Sequence, residues 1–290
     1  MQHTAIATLA LAAIGLVAEC APGHAQSPPT LDNSQIEIAY VEPSSASHRR
    51  IYDRLKQRAV LEQLKQFLAP LRLPAGRKLL VKLATCGENS IGSRYEDGTV
   101  TICYEHIERI RLLAPTGTSP EGWRPEDAIV GPFVEVVFNG VALAVFDLLE
   151  VPIWGRELDA ADNLGAFIMW QFGKDVARRT LTGVAHFHQA QAAQRDPMKK
   201  EDFADQYGTD WQRFYSFLCI AYGGAVNSGE QDTFKDLVQK SLLPQFRRDG
   251  CRGEFQQVEH AFQQHILPHI DQQLMRQVQA RQWLRPEDGK

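Results

Sequence analysis

The feature that most constrains this chain is the run at residues 133–149, FVEVVFNGVALAVFDLL, where only Glu135, Asn139 and Asp147 are polar among 17 residues. Read at 3.6 residues per turn, it is a helix that must be shielded from water on most of its circumference. It is shorter than the ~20 residues a membrane span needs, and it carries two acids. Glu135, Asn139, Leu143 and Asp147 recur every four residues and so lie along one slowly drifting stripe. Gly140 costs such a helix about 1 kcal/mol relative to Ala and implies the close approach of a neighbour. A helix buried on this scale needs a sizeable core around it. At 290 residues and 44% hydrophobic content the chain can supply one, as one large domain or two average ones. Its 31 basic and 35 acidic residues give a net charge of −4 with no basic stripe, which leaves no electrostatic case for nucleic acid.

The N-terminus has a second apolar run, AIATLALAAIGLVA at residues 5–18, again too short to span a bilayer. Gly23 and Ala25 stand at −3 and −1 of a cleavage after Ala25. Residues 1–25 therefore read as a secretory signal peptide, although no Lys or Arg precedes the run. Glu19 argues against a lipid-anchored Cys20. The mature chain is expected to be exported, periplasmic or secreted, with no membrane span after cleavage.

Cleavage removes Cys20 and leaves Cys86, Cys103, Cys219 and Cys251. An oxidising compartment permits disulfides, and four cysteines allow three pairings. Locality favours Cys86 with Cys103 across a turn, leaving Cys219 with Cys251, each bridge stabilising by roughly 3 kcal/mol. The absence of any CxxC pair disfavours a thiolate zinc site.

Residues 26–47, polar and interrupted by prolines, read as a flexible linker. Residues 48–285 read as a single domain of α+β class, a small N-terminal β-sheet followed by a mainly helical remainder. Within it, residues 49–68 repeat apolar positions at threes and fours and read as one helix. KLLVKLAT at 78–85 reads as a strand, and Asp97-Gly98 as a hairpin turn leading into a returning strand at 99–104. Helix is then expected at 105–113, 126–150, 157–172, 174–193, 209–223, 230–242 and 253–283.

After the buried helix comes EVPIWGRELDAADNLGAFIMW at 150–170, a tight connection and a second helix opening on acids. A long buried helix, a turn and an acid-bearing helix is the zincin layout. There, HExxH presents two His on one helix face to zinc with a Glu between them as general base, and a Glu on the next helix completes the site. The chain resembles a family of exported bacterial metallopeptidase-like proteins, otherwise a domain of unknown function. The matching phrases are TICYE (101–105) with the Cys86 segment, AVFDLLEVPIWGRELDAAD (144–162), QRFYSFLCIAYG (212–223) and LLPQFRRDGCRGEF (242–255). The resemblance implies a zincin-like fold and a zinc peptidase site.

Carried over position by position, the family's HExxH places its first His on Asn139, its base on Gly140 and its second His on Leu143. The ligand Glu of the second helix falls on Leu158. Leu and Gly cannot ligate zinc, and Asn is a weak ligand. Independently of the family, HExxH occurs nowhere, and no His lies between His106 and His186. The reading is a metallopeptidase-like protein without zinc, no cofactor and no catalytic residues. It would work by binding a peptide or an envelope protein in a vestigial groove. Asp147, Glu157, Asp159 and Asp162 remain as supporting residues around the degenerate motif.

Three other readings compete. An active metallopeptidase could recruit Glu157 with His186 or His188. Glu135 and the neighbouring acids could hold a hard cation such as calcium, although no loop of alternating oxygen ligands is present. The chain could also be a structural or interaction protein of the envelope. In GVAHFHQAQ, His186 and His188 point to different sides of a helix and read as surface or groove residues. His265 and His269 are four apart but disturbed by Pro268. Trp211, Phe214, Tyr215, Phe217 and Tyr222 read as core packing around Cys219.

Overall fold

The buried helix is α4, Pro125–Leu148, and the rest of the fold is arranged around it. The computed structural model describes residues 31–281 apart from Glu88, Asn89, Ile91, Pro120, Glu121, Asp196 and Ser241. The signal-peptide reading and Cys20 lie outside the described residues. By length and mean hydropathy α4 could cross a membrane, but 83% of its most apolar window is buried inside the protein, as in the core helix of a soluble fold.

A four-stranded sheet lies to one side: β1 (Ile36–Tyr40), β2 (Leu79–Ala84), β3 (Ser93–Glu96) and β4 (Thr99–Cys103), in the order β1-β2-β4-β3. Leu79, Val81 and Leu83 of β2 and Val100 and Ile102 of β4 are fully buried. The Asp97-Gly98 turn forms as expected, both residues at positive φ (43° and 74°), the geometry a tight hairpin demands. Its two arms are β3 and β4, which pair antiparallel. The returning strand does not fold back on β2: β4 and β2 run parallel, as do β2 and β1. The short β3, missed in the sequence, makes this possible by taking the hairpin position.

Two further expectations need correcting. Part of the stretch read as a linker is β1, whose Ile36 is fully buried. The helix read over 49–68 is two, α1 (Ala46–Gln57) and α2 (Val60–Leu68). The break falls at Ala59, whose φ of 49° no α-helix accommodates. The chain therefore changes direction there, and the expected rod is two helices. α3 (Tyr104–Leu113) follows the sheet directly.

The helical remainder comprises α5 (Glu157–Gln171), α6 (Lys174–Gln194), α7 (Asp210–Asn227), the short α8 (Lys235–Gln239), α9 (Gln245–His265) and α10 (Gln272–Ala280). The segment read as helical over 253–283 starts eight residues earlier, at Gln245, and is interrupted between His265 and Gln272 at Pro268, which cannot donate to a helix. α4 and α6 approach closely because glycines meet there. A Cβ on Gly183 would lie 1.9 Å from the Asp127 carbonyl oxygen, and one on Gly131 2.3 Å from that of Thr180.

Both disulfides join the expected partners. Cys86–Cys103 spans 5.4 Å between Cα atoms and ties the end of β4 to the segment after β2. Cys219–Cys251 spans 4.9 Å and ties α7 to α9. Phe214 and Phe217 are buried around the second bridge, so the aromatic segment packs in the core.

Candidate functional site

Glu135 and Asn139 project from α4 into a polar cluster in the otherwise apolar interior. Asp162 comes from α5, and Arg213 enters from α7. The Arg213 Nε donates to Asp162 at 2.7 Å, and Nη2 donates to Asp162 at 3.0 Å and to Glu135 at 2.6 Å. The Tyr207 ring covers the guanidinium 4.7 Å from its centroid. The Asn139 amide donates to Asp162 Oδ1 at 2.7 Å and reaches toward the Leu158 carbonyl at 3.5 Å. Tyr207 approaches the Asn139 carbonyl oxygen at 3.4 Å.

The electrostatics follow from burial. Burial pushes the Glu135 carboxyl up to about 8 against the pull of Arg213, and the adjacent Asp162 adds to the rise. Burial alone would lower Arg213, but Asp162 and Glu135 hold it above its ordinary value.

The four positions onto which the resemblance maps the zinc motif have different surroundings. Asn139 lines a cavity of about 240 Å³ together with Glu135, His106, Tyr207, Asp210 and Arg213. Leu143 and Leu158 do not line it and pack into the hydrophobic core. Gly140 meets the sheet: a Cβ there would lie 2.6 Å from Val100 Cγ1 and 2.7 Å from Ser93 Oγ. The close approach expected of this glycine is real, and the space a side chain would use is taken by β3 and β4.

Of the four acids expected to support the site, Asp147, Glu157, Asp159 and Asp162, only Asp162 joins this cluster. Asp159 pairs with Arg156 at 2.6 Å and accepts from the Gly208 amide at 3.0 Å. Asp147 is exposed and accepts from the Tyr95 hydroxyl. Glu157 is exposed in the first turn of α5. Among the described residues, the one group of three His, Cys, Asp or Glu donors close enough to share an ion is Cys86, Cys103 and Glu105. Its two sulfurs are bonded to each other, and Glu105 is engaged by the Cys86 and Gly87 amides.

The surface reading of the histidines fails for His188. Its side chain is fully buried on α6, with Nδ1 3.3 Å from Asp210 Oδ1, and its ring stacks on Phe217. His186 is half-buried, with Nε2 3.2 Å from the Leu113 carbonyl oxygen. His265 lies exposed at the end of α9, and His269 in the turn after it.

Sequence reasoning missed Arg213, Tyr207, His106 and Asp210. Arg213 carried a signal: it is the one basic residue in the aromatic stretch 211–224. His106 is buried with neither ring nitrogen hydrogen-bonded. Burial, with a contribution from Arg213, lowers it to about 3, and burial lowers His188 to about 4. Both therefore bind a proton less readily in the fold than in the unfolded chain, whose histidines titrate near 6.5. Their contribution to stability is complete above that pH and is lost as pH falls toward 4. The His106→Leu variant should show a shallower loss of urea midpoint between pH 7 and 4.5 than the native chain.

With the layout in view, the class is that of an α+β protein whose long core helix and following acid-bearing helix enclose a buried polar site. Residues 40–266 match the family model DUF4344, described as "Putative metallopeptidase", and the chain belongs to that family. Comparison with curated proteins and with solved structures returned no match.

Proposed function

We propose that this chain is a non-catalytic member of its metallopeptidase family and works by binding. The observation that carries the reading is the state of the Asn139–Gly140 pair. The Asn139 amide is committed to Asp162, and the space beyond Gly140 is filled by Val100 and Ser93. Zinc needs three protein ligands and an open position, and its peptidase chemistry needs a base on the metal-bound water. Asn139, Leu143 and Leu158 supply no such ligand set, and Gly140 supplies no base. Arg213 is ion-paired with Asp162 and hydrogen-bonded to Glu135, which, raised to about 8, keeps its proton near neutral pH, so the cluster carries no excess negative charge that calls for a metal cation.

The cavity beside Asn139 is the natural binding place. Its walls offer carboxylates (Asp202, Asp205, Asp210) and guanidinium groups (Arg195, Arg213) that could meet the amides, carbonyls and charges of a peptide. The partner we propose is a peptide segment, for example of an envelope protein. Export fits this setting, because both disulfides are compatible with an oxidising compartment.

Purified protein is expected to hold well below one zinc per chain and to leave casein uncut. Stoichiometric zinc whose chelation abolishes cleavage would overturn the proposal. A second measurement tests the register. The triple variant Asn139→His, Leu143→His, Leu158→Glu should gain zinc affinity by calorimetry. Adding Gly140→Glu should cost stability unless Val100 and Ser93 are trimmed to Ala and Gly. A folded triple variant with no gain in zinc affinity would refute the assignment of these positions.

A further inference from the structure

A second cavity, against another face of α4 from the polar cluster, has a different character. It has a volume of about 710 Å³ and lies among α1, α2, α3 and α4. Its floor is Val134, Val137 and Phe138 of α4, and its roof includes Leu55, Leu64 and Phe67. Arg58 and Val60, on either side of the break at Ala59, both line it.

The wall carries no acid. Its polar side chains are Gln63 and four arginines: Arg50, Arg54, Arg58 and Arg111. All four arginines are exposed, and none makes a side-chain hydrogen bond or ion pair with a described residue. Several arginines elsewhere pair with acids, as Arg178 with Asp236 and Arg247 with Glu254, whereas the four here lie together on one cavity. Arg50 and Arg54 are four apart on α1 and Arg58 is its C-terminal cap, so like charges gather along one side and repel. An apolar cavity rimmed by uncompensated guanidinium groups has the complementarity of an anionic amphiphile.

We infer that this cavity binds a long-chain fatty acid, its acyl chain against α4 and its carboxylate among the arginines. Arginine's planar fork matches a carboxylate with two parallel hydrogen bonds. The volume lies within the roughly 300–1,000 Å³ of small-molecule sites, which favours a single-chain ligand. Burying the chain supplies affinity in proportion to the apolar area removed from water, and the arginines set its direction. This inference is independent of the motif site and of whether the chain cleaves peptides.

Displacement of a dansyl-labelled undecanoic acid from the purified full chain tests it. Palmitate should compete with one-to-one stoichiometry, hexadecanol at least about tenfold more weakly, and butyrate not at all. The Arg50→Glu, Arg54→Glu variant should lose palmitate affinity by about tenfold or more while keeping its affinity for hexadecanol. Val130→Trp, at the half-buried edge of the cavity, should weaken both, with unchanged thermal unfolding as the control for folding. Three results would each overturn the inference: no saturable binding of the probe, palmitate binding indifferent to the two charge reversals, or capture by anionic phospholipid vesicles without displacement of the probe by palmitate.

Discussion

Replacing Arg213 with Met is expected to destabilise the protein by about 3–5 kcal/mol, the usual cost of removing one partner from a buried ionic group. The guanidinium is the hub of the interior cluster, holding Asp162 through two nitrogens and Glu135 through one. Without it, two carboxyl groups face each other in a site shielded from water. Urea unfolding near neutral pH measures the loss. Arg213→Lys should lose less, because it keeps the charge and gives up the fork. Replacing the whole group, Arg213→Met with Glu135→Leu and Asp162→Asn, should recover much of the stability, since no buried charge is then left unpaired.

The same cluster gives the loss a pH dependence. The folded-state pKa of Glu135 is raised above its ordinary 4.5 to about 8, so between these values the fold holds a proton that the unfolded chain has released. Its contribution is therefore present below about 4.5 and is lost as pH rises through 8. Removing Arg213 removes the attraction that opposes the rise. The native chain stops losing this contribution once Glu135 ionises above about pH 8, whereas the variant goes on losing it, so the deficit of Arg213→Met should be larger at about pH 9.5 than at pH 5, and Glu135→Gln in the same background should flatten it. A deficit equal at both pH values would mean that Glu135 is not part of the energetic unit.

Loss of the Cys219–Cys251 bridge should be nearly as costly. The bond closes 32 residues of chain, and the loop-entropy model assigns such a bridge roughly 3–4 kcal/mol. Both sulfurs are fully buried where α7 and α9 pack so closely that a Cβ on Gly223 would lie 2.2 Å from the Cys251 carbonyl oxygen. The Cys219→Ala, Cys251→Ala variant should unfold at a lower urea concentration, with a steeper dependence because its unfolded chain exposes more surface. The Cys86–Cys103 bridge closes only 17 residues, and its removal should cost slightly less. A larger loss from the shorter loop would show that native packing outweighs chain entropy here.

The legible and illegible parts of this chain divide by the range of the interactions involved. The burial of α4, the Asp97-Gly98 turn and the boundaries of α5 and α6 are encoded in local spacing and turn chemistry, and they form as the residues imply. The pairing of the cysteines was also accessible, because locality favoured Cys86 with Cys103 and left the other two. The parallel pairing of β2 with β4 was not, since strand order depends on a partner, β3, too short and polar to announce itself. The split at Ala59 was hidden because apolar periodicity continues across the break and alanine favours helix.

At the candidate site, the amino-acid sequence alone determined that no HExxH exists and that Asn139, Gly140, Leu143 and Leu158 carry neither an imidazole nor a carboxylate. Side-chain identity is a property of the chain, and zinc chemistry depends on it directly. Only the tertiary structure decided what stands around those positions. Arg213, 51 residues beyond Asp162, joins that carboxylate to Glu135, while Ser93 and Val100 close the space beside Gly140. Those contacts join α4, α5, α7 and the sheet, and no spacing within one helix encodes a meeting between four elements. The packing of the whole core sets it.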